Sequence, residues 1–442
     1  MKGRKIVLVG ESVVDVTRET PVSPTKVRLG GVFHAARAAW AIGAQYNLAY
    51  YGPAYLDSEV LKFARSHGVG AVTKIGEISG CPNVMLIADA TEAGPQGYEH
   101  LLSEHASYTL DAKKLLDLLE DATDVVILAG NFDLAPVLSA VSKSKIRIHV
   151  DLGNGPSQFE VTKRAGGRLT TVFLSTSSQV FAPLASGLPT SLEKLAGELA
   201  AKVILKENRG GARLFGSKGV LRVGSQRRDI VHSVGVGDVF DVVFVSMAQS
   251  QGDREALDYA SWVAAEYAVT TFPADFKRGA KRVLGLRPAQ LRTLPSVSLP
   301  WEKRSQSQIY IAAPDFDYVD RGPIDRLVEC LKYHNFSPRL PVRENGQAND
   351  KMTAQERRRL YDLDLGLLGA CDLVIAVHMF DDPGTLIEIG LAHARGVPVV
   401  VYDPWDRVKN IMLEHVPELV SSSLEKVITA TFDVIARKCV GR

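Results

Sequence analysis

Short apolar, β-branched runs alternate along much of the chain with stretches whose apolar residues recur every three or four positions. The runs KIVLVG (5–10), NLAYYGPA (47–54), DVVILAG (124–130), IRIHVDLG (146–153), TVFLS (171–175), AKVILKE (201–207) and ARLFGS (212–217) predict strands. HAARAAWAIGA (34–44), SEVLKFARSHG (58–68), AKKLLDLLED (112–121), LEKLAGELA (192–200), VFDVVFVSMA (239–248) and ALDYASWVAAEYAVTTF (256–272) predict helices. Such alternation builds a doubly wound α/β domain around a mostly parallel sheet. The pattern stops near residue 290.

Proline, serine and charge then fill TLPSVSLPWEKRSQSQ (293–308) without periodicity, which reads as a linker between a domain at 1–292 and a second at 309–442. In the second domain the strand IYIAAPDF precedes a helix (IDRLVECLKYHNF), a polar loop and the helix TAQERRRLYDLDLGLLGAC. The strand DLVIAVH, the helix GTLIEIGLAHARG and the strand VPVVVYD follow, predicting a smaller α/β layer of Rossmann-like, flavodoxin-like type.

Composition changes this picture little. With 46% apolar and 23% charged residues over 442 positions, the chain has the makeup of a globular protein with ample core. A formal net charge of +2 gives no reason to expect nucleic acid or a membrane surface as partner. Four scattered cysteines and the lack of a signal-peptide pattern or a bilayer-length apolar run point to a reducing, cytoplasmic setting. His378 and His393 are not spaced as a metal pair, so no structural metal site is expected.

Two stretches carry chemistry. In HSVGVGDVF (232–240), Gly235 and Gly237 let a backbone approach a ligand at a helix start, where free N–H groups and the dipole attract an anion. Asp238 could then take a proton from an attacking hydroxyl, or simply cap the helix. Over residues 1 to about 290 the chain resembles the ribokinase-like (PfkB) family of sugar and nucleoside kinases. GESVVDV is similar to its opening strand, LGGVFHAARAAWAIGA to its substrate loop, HVDLGNG to its mid-domain strand ending at Asp151, and VILKENRGGARLF to the segment near the nucleotide. The resemblance implies that Asp15 holds substrate hydroxyls, that Gly30 and Gly31 let the sugar approach, and that Gly235 and Gly237 form an anion hole. It also implies Asp238 as base, with ATP and Mg²⁺ as cofactors. Three features depart from the family: His232 and Ser233 replace its Asp-Thr, and His34 stands near its asparagine. Thr176 and Gln179 occupy its magnesium-organising Asn-x-x-Glu.

In the second domain, Glu388 is placed in the first turn of a helix after the loop HMFDDPG, at the carboxyl ends of the strands where α/β ligands sit. There the dipole would keep it ionised, and an ionised carboxylate can attack an anomeric carbon. The bland alternative is a helix entry capped by Asp381 or Asp382 with Glu388 facing solvent. Residues 309 to about 415 resemble the nucleoside 2-deoxyribosyltransferase family. The resemblance rests on IYIAAPDF, the Asp364–Asp372 spacing, DDPGTLIEIG and KNIM. It implies Glu388 as nucleophile, Asp364 as proton donor to the leaving base, Tyr310 beside the carboxylate and Phe316 beside the base. Asp382 would contact the sugar 5′-hydroxyl, and Asn410 would reach a neighbouring subunit, which implies a homo-oligomer. A carboxylate at Asp382 would repel a 5′-phosphate, favouring a nucleoside over a nucleotide. The QERRRLYD arginines, Arg343 and the four tryptophans read as solvated or packing residues.

The expected function is bifunctional, with base release or exchange in the second domain and phosphorylation of a pentose or nucleoside in the first. Two alternatives stay open: kinase first, then hydrolysis of a nucleoside 5′-monophosphate; or a degenerate kinase domain that senses a ligand and gates the glycosidase.

Overall fold

Runs such as Asp124–Leu128 and Leu373–Val377 are buried along their whole length, the pattern of parallel strands covered on both faces. The computed structural model describes residues 5–20, 23–153 and 155–440, and resolves two units. The first comprises residues 1–91 and 96–298, and the second residues 92–95 and 299–442. Residues 293–308 are ordered rather than a plain linker. Ser296–Val297 pairs with Ser225–Gln226, Trp301–Arg304 is a short helix, and the division falls after Ser298. Prolines 295 and 300 removed the periodicity but not the packing, since Leu299 and Arg304 are fully buried.

In the first unit, the strands Lys202–Lys206, Leu169–Ser175, Arg147–Asp151, Asp124–Leu128, Lys5–Thr17, Gln45–Gly52 and Val72–Ser79 lie side by side in that order, all parallel. Ala212–Gly216 and Gly219–Val223 extend one edge as an antiparallel hairpin. Lys5–Thr17 runs past the main sheet. Its second half pairs with Lys26–Gly31 and Val84–Ile87, so Asp15 lies on an outlying sheet beside Gly30 and Gly31. The helices Val32–Ile42, Val236–Gln251 and Asp253–Ala268 pack with the sheet into the main core. The last ends at Ala268, four residues before the expected end, where Val269-Thr270-Thr271 brings β-branched side chains that resist helix.

The second unit has five parallel strands in the order Ser337–Arg339, Gln308–Ala312, Leu373–Val377, Val399–Tyr402, Leu419–Ser421. The strand order reverses between Gln308–Ala312 and Leu373–Val377, and a crevice for ligands opens at the carboxyl ends of such a pair. Its core is separate, built on Tyr310, Leu368, Val374, Ile389 and Val401. No helix among the described residues is long and apolar enough to cross a membrane.

Candidate functional site

The switch point of the second unit gathers three of the expected residues. Tyr310 lies in the Gln308–Ala312 strand, and its hydroxyl donates to Glu388 Oε1 at 2.5 Å. Glu388 lies in the helix Pro383–Ala394 as its sixth residue. It is therefore in the second turn, not the first. The dipole reaches it weakly, because that effect fades beyond the first turn. Burial dominates and pushes its carboxyl up to about 7, helped by Asp364 and Asp382 and opposed by the Tyr310 hydrogen bond. Glu388 is thus not held ionised by a helix start: near neutrality about half of it carries charge. It is half-buried and bonded, not solvated.

Asp364 comes from the helix Ala354–Ala370, started by a capping box of Thr353 and Glu356. Asn345 Nδ2 donates to its Oδ1 at 2.8 Å, and burial raises its carboxyl above the usual range. A carboxyl raised by burial keeps its proton longer, which suits a donor. Asn345 was not foreseen; it precedes a glycine after PVRE and carries no motif. Asp372 is not paired with Asp364. It accepts from the amide of Gln308 at 3.1 Å, at the amino-terminal end of its strand.

Asp382 caps the Glu388 helix, its Oδ2 accepting from Thr385 N at 2.7 Å and Thr385 Oγ1 at 2.8 Å. The capping alternative therefore holds for Asp382, while its Oδ1 stays free of that role. The residues just before it, Phe380 and Asp381, have φ of 58° and 51°. Two non-glycine residues in the left-handed region make a costly turn of a kind found at functional loops. Phe316 stacks on Tyr318 with ring centroids 5.4 Å apart. Arg343 is exposed, as expected, and also braces that loop: its guanidinium holds Asp315 in two hydrogen bonds of 2.5 and 2.8 Å and reaches Asp325 at 2.6 Å. Asn410 is exposed and caps the short helix Ile411–His415 through Met412 N at 2.9 Å. Within one chain it is not joined to Glu388 by any contact described.

In the first unit, Gly235 adopts φ 75° at the start of Val236–Gln251, and a Cβ there would strike the His34 ring. His34 Nε2 lies 2.7 Å from Asp15 Oδ2, and its Nδ1 lies 2.7 Å from the Tyr267 hydroxyl. Burial lowers the imidazole to about 4, so it is neutral. A carboxylate only accepts; Nε2 therefore carries the proton and Nδ1 takes one from Tyr267. The group expected to hold substrate hydroxyls is already engaged by a side chain of the same unit. Gly30 serves that arrangement, since a Cβ there would collide with the Asp15 carboxylate. Gly31 has φ 60° and abuts the Glu11 carbonyl.

Asp238 stands in the first turn of Val236–Gln251. Burial, with repulsion from Asp151, raises its carboxyl to about 8 against the pull of Lys206. A base must be ionised, and at pH 7 only about one tenth of such a group is. Asp151, Asp238 and Asp241 bring carboxylate oxygens within 4.8 Å of one another. Lys206 Nζ sits among them, 3.0 Å from Asp151 and 2.7 Å from Asp241, and Gly237 leaves room for it. Of the two residues standing for the family's magnesium-organising pair, Thr176 is buried and Gln179 exposed; neither offers a carboxylate. These residues do not fit a magnesium ion while the ammonium stands among the carboxylates. Sequence reading passed over Lys206 and Asp241, although a carboxylate inside the apolar run VFDVVFV was a visible signal.

Comparison with known proteins follows the same division. The family model "Nucleoside 2-deoxyribosyltransferase" matches residues 309–421. Comparison with curated proteins finds no match. The nucleoside kinase of Burkholderia thailandensis, solved in complex with ADP-inosine, is similar over 64% of this chain and 97% of its own, at 13% identity and a TM-score of 0.50. The ribokinase of Arabidopsis thaliana, complexed with ribose and ATP, is similar over 64% of this chain and 100% of its own, at 14% identity and a TM-score of 0.47. The chain therefore joins a unit of ribokinase-like fold to a segment, residues 309–421, that matches the nucleoside 2-deoxyribosyltransferase family model.

Proposed function

We propose that the second unit breaks or exchanges the N-glycosidic bond of a nucleoside or deoxynucleoside. Glu388 attacks the anomeric carbon, the C–N bond breaks, and Asp364 delivers its proton to the departing base. Water or a second base then takes the sugar from Glu388. Tyr310 orients the attacking carboxylate and favours its charged form. Phe316 offers the base an apolar face. The free Oδ1 of Asp382 accepts from the sugar 5′-hydroxyl, and its charge disfavours a 5′-phosphate. The observation that carries this reading is the contact between Tyr310 and Glu388 at the switch point, with Asp364 close enough to raise Glu388. Copies associate through the surface around Asn410, where Ile411 and Met412 are 69% and 65% exposed.

For the first unit, phosphorylation with ATP and Mg²⁺ by way of Asp238 is the less supported reading. The largely protonated Asp238, the Lys206 ammonium among the carboxylates and the lack of a carboxylate at Thr176 and Gln179 favour the alternative, a unit that binds a nucleoside or sugar without transferring phosphate.

Chromatography of the purified protein with nucleosides, deoxynucleosides and their 5′-monophosphates, with and without Mg-ATP, tests both readings. Free base from nucleosides without ATP is expected. Base released only from monophosphates would reverse the order to kinase first.

A further inference from the structure

Lys206 is the last residue of the strand Lys202–Lys206, at the edge of an otherwise apolar run. Its ammonium lies 5.7 Å from the centre of the Phe173 ring and between Asp151, which closes the Arg147–Asp151 strand, and Asp241, in the second turn of Val236–Gln251. Asp241 is fully buried, and its Oδ1 has no hydrogen-bond partner among the described residues. Three carboxyl groups thus crowd one ammonium, and burial with their mutual repulsion pushes Asp238 and Asp241 towards their protonated forms. A buried carboxylate is costly unless it is paired or neutralised, and a lone ammonium supplies one charge where a divalent ion would supply two.

We propose that Lys206 is a tethered counter-cation that fills the place of a divalent ion among Asp151, Asp238 and Asp241, and makes the helix-start site of the first unit independent of metal. A lysine tethered at the strand end is always present at its site, so its occupancy does not depend on ion concentration. It also cannot bridge to a ligand phosphate as an exchangeable ion with open coordination positions can. The proposal rests on the binding reading of the first unit given above, in which the ligand is an uncharged nucleoside or sugar.

The test is Mn²⁺ titration followed by electron paramagnetic resonance, on the full chain. Wild-type protein is expected to show no Mn²⁺ binding that responds to Asp241→Asn. Lys206→Ala, checked for folding by circular dichroism, should gain one site at least tenfold tighter than any in the wild type. The double variant Lys206→Ala/Asp241→Asn should lose that site. A folded Lys206→Ala with no gained site overturns the proposal. So does Mn²⁺ binding by the wild type that Asp241→Asn removes, and this comparison decides the matter even if Lys206→Ala does not fold. The binding reading itself is tested separately, by inosine or ribose binding in the absence of metal. Its failure would leave the Mn²⁺ result standing.

Discussion

The chemistry proposed for the second unit meets in one hydrogen bond, from Tyr310 to Glu388, and its consequences can be read as a function of pH. Attack requires the carboxylate, so base release should rise as pH climbs through about 7, the value to which burial lifts Glu388. The Tyr310 hydroxyl stabilises the charged form. A hydrogen bond to a charged group contributes about 1.5–3 kcal/mol, and one pH unit corresponds to about 1.4 kcal/mol. Tyr310→Phe should therefore move the acid limb of the pH–rate profile upward by about one to two units, and an unmoved limb would separate Tyr310 from the nucleophile. Glu388→Ala should cut base release by at least ~10³-fold, the scale on which loss of an attacking side chain acts. Wild-type rates in that variant would remove Glu388 from the mechanism. Much of this was legible in the sequence, because Tyr310, Asp364 and Glu388 each sit in a local pattern. Their ionisation was not. The dipole argument put Glu388 in a first turn, and only the position of the helix start at Pro383 shows that burial decides instead. Asn345 and Lys206 stayed hidden for a related reason: each acts through a partner distant in the chain.

The elements that aim these groups are set by their caps. Asp382 both starts the Glu388 helix and adds negative charge near the nucleophile. Asp382→Asn separates the two roles, since asparagine caps about as well as aspartate but carries no charge. The melting temperature should change little, the acid limb should move to lower pH, and discrimination against 5′-monophosphates should narrow in a competition assay. Asp364 depends in the same way on the Thr353 box at the start of Ala354–Ala370. Thr353→Ala should destabilise the second unit by about 1 kcal/mol, measured by chemical denaturation. The apolar strands and long helices were readable because burial on one or both faces writes its period into the sequence. The strand Val72–Ser79 was not, since VTKIGEIS mixes polar and charged residues into a sheet neighbour and so lacks an apolar run, although glycines flank it on both sides. The closing helix Leu424–Val440 was likewise unassigned, lying beyond the last motif.

At the scale of the whole molecule, the two sites belong to units with separate cores, and no residue named in one is named in the other. The groups proposed to break a glycosidic bond lie in the second unit, and the Asp15–His34–Tyr267 and Lys206 clusters lie in the first. If the first unit supplied a phosphorylated substrate, base release from a plain nucleoside would depend on Mg-ATP and on Asp238. The Asp382 carboxylate opposes that order, because a 5′-phosphate brought to it would meet like charge. The expected outcome is that Asp238→Asn and the omission of Mg-ATP each leave nucleoside cleavage within about twofold of the wild-type rate, a difference of roughly 0.4 kcal/mol in activation free energy. Steady-state release of base by wild type and Asp238→Asn, each with and without Mg-ATP, measures this directly. A large drop in either condition would mean that cleavage waits on phosphorylation, and Asp238 would then be the residue that commits substrate to the second unit.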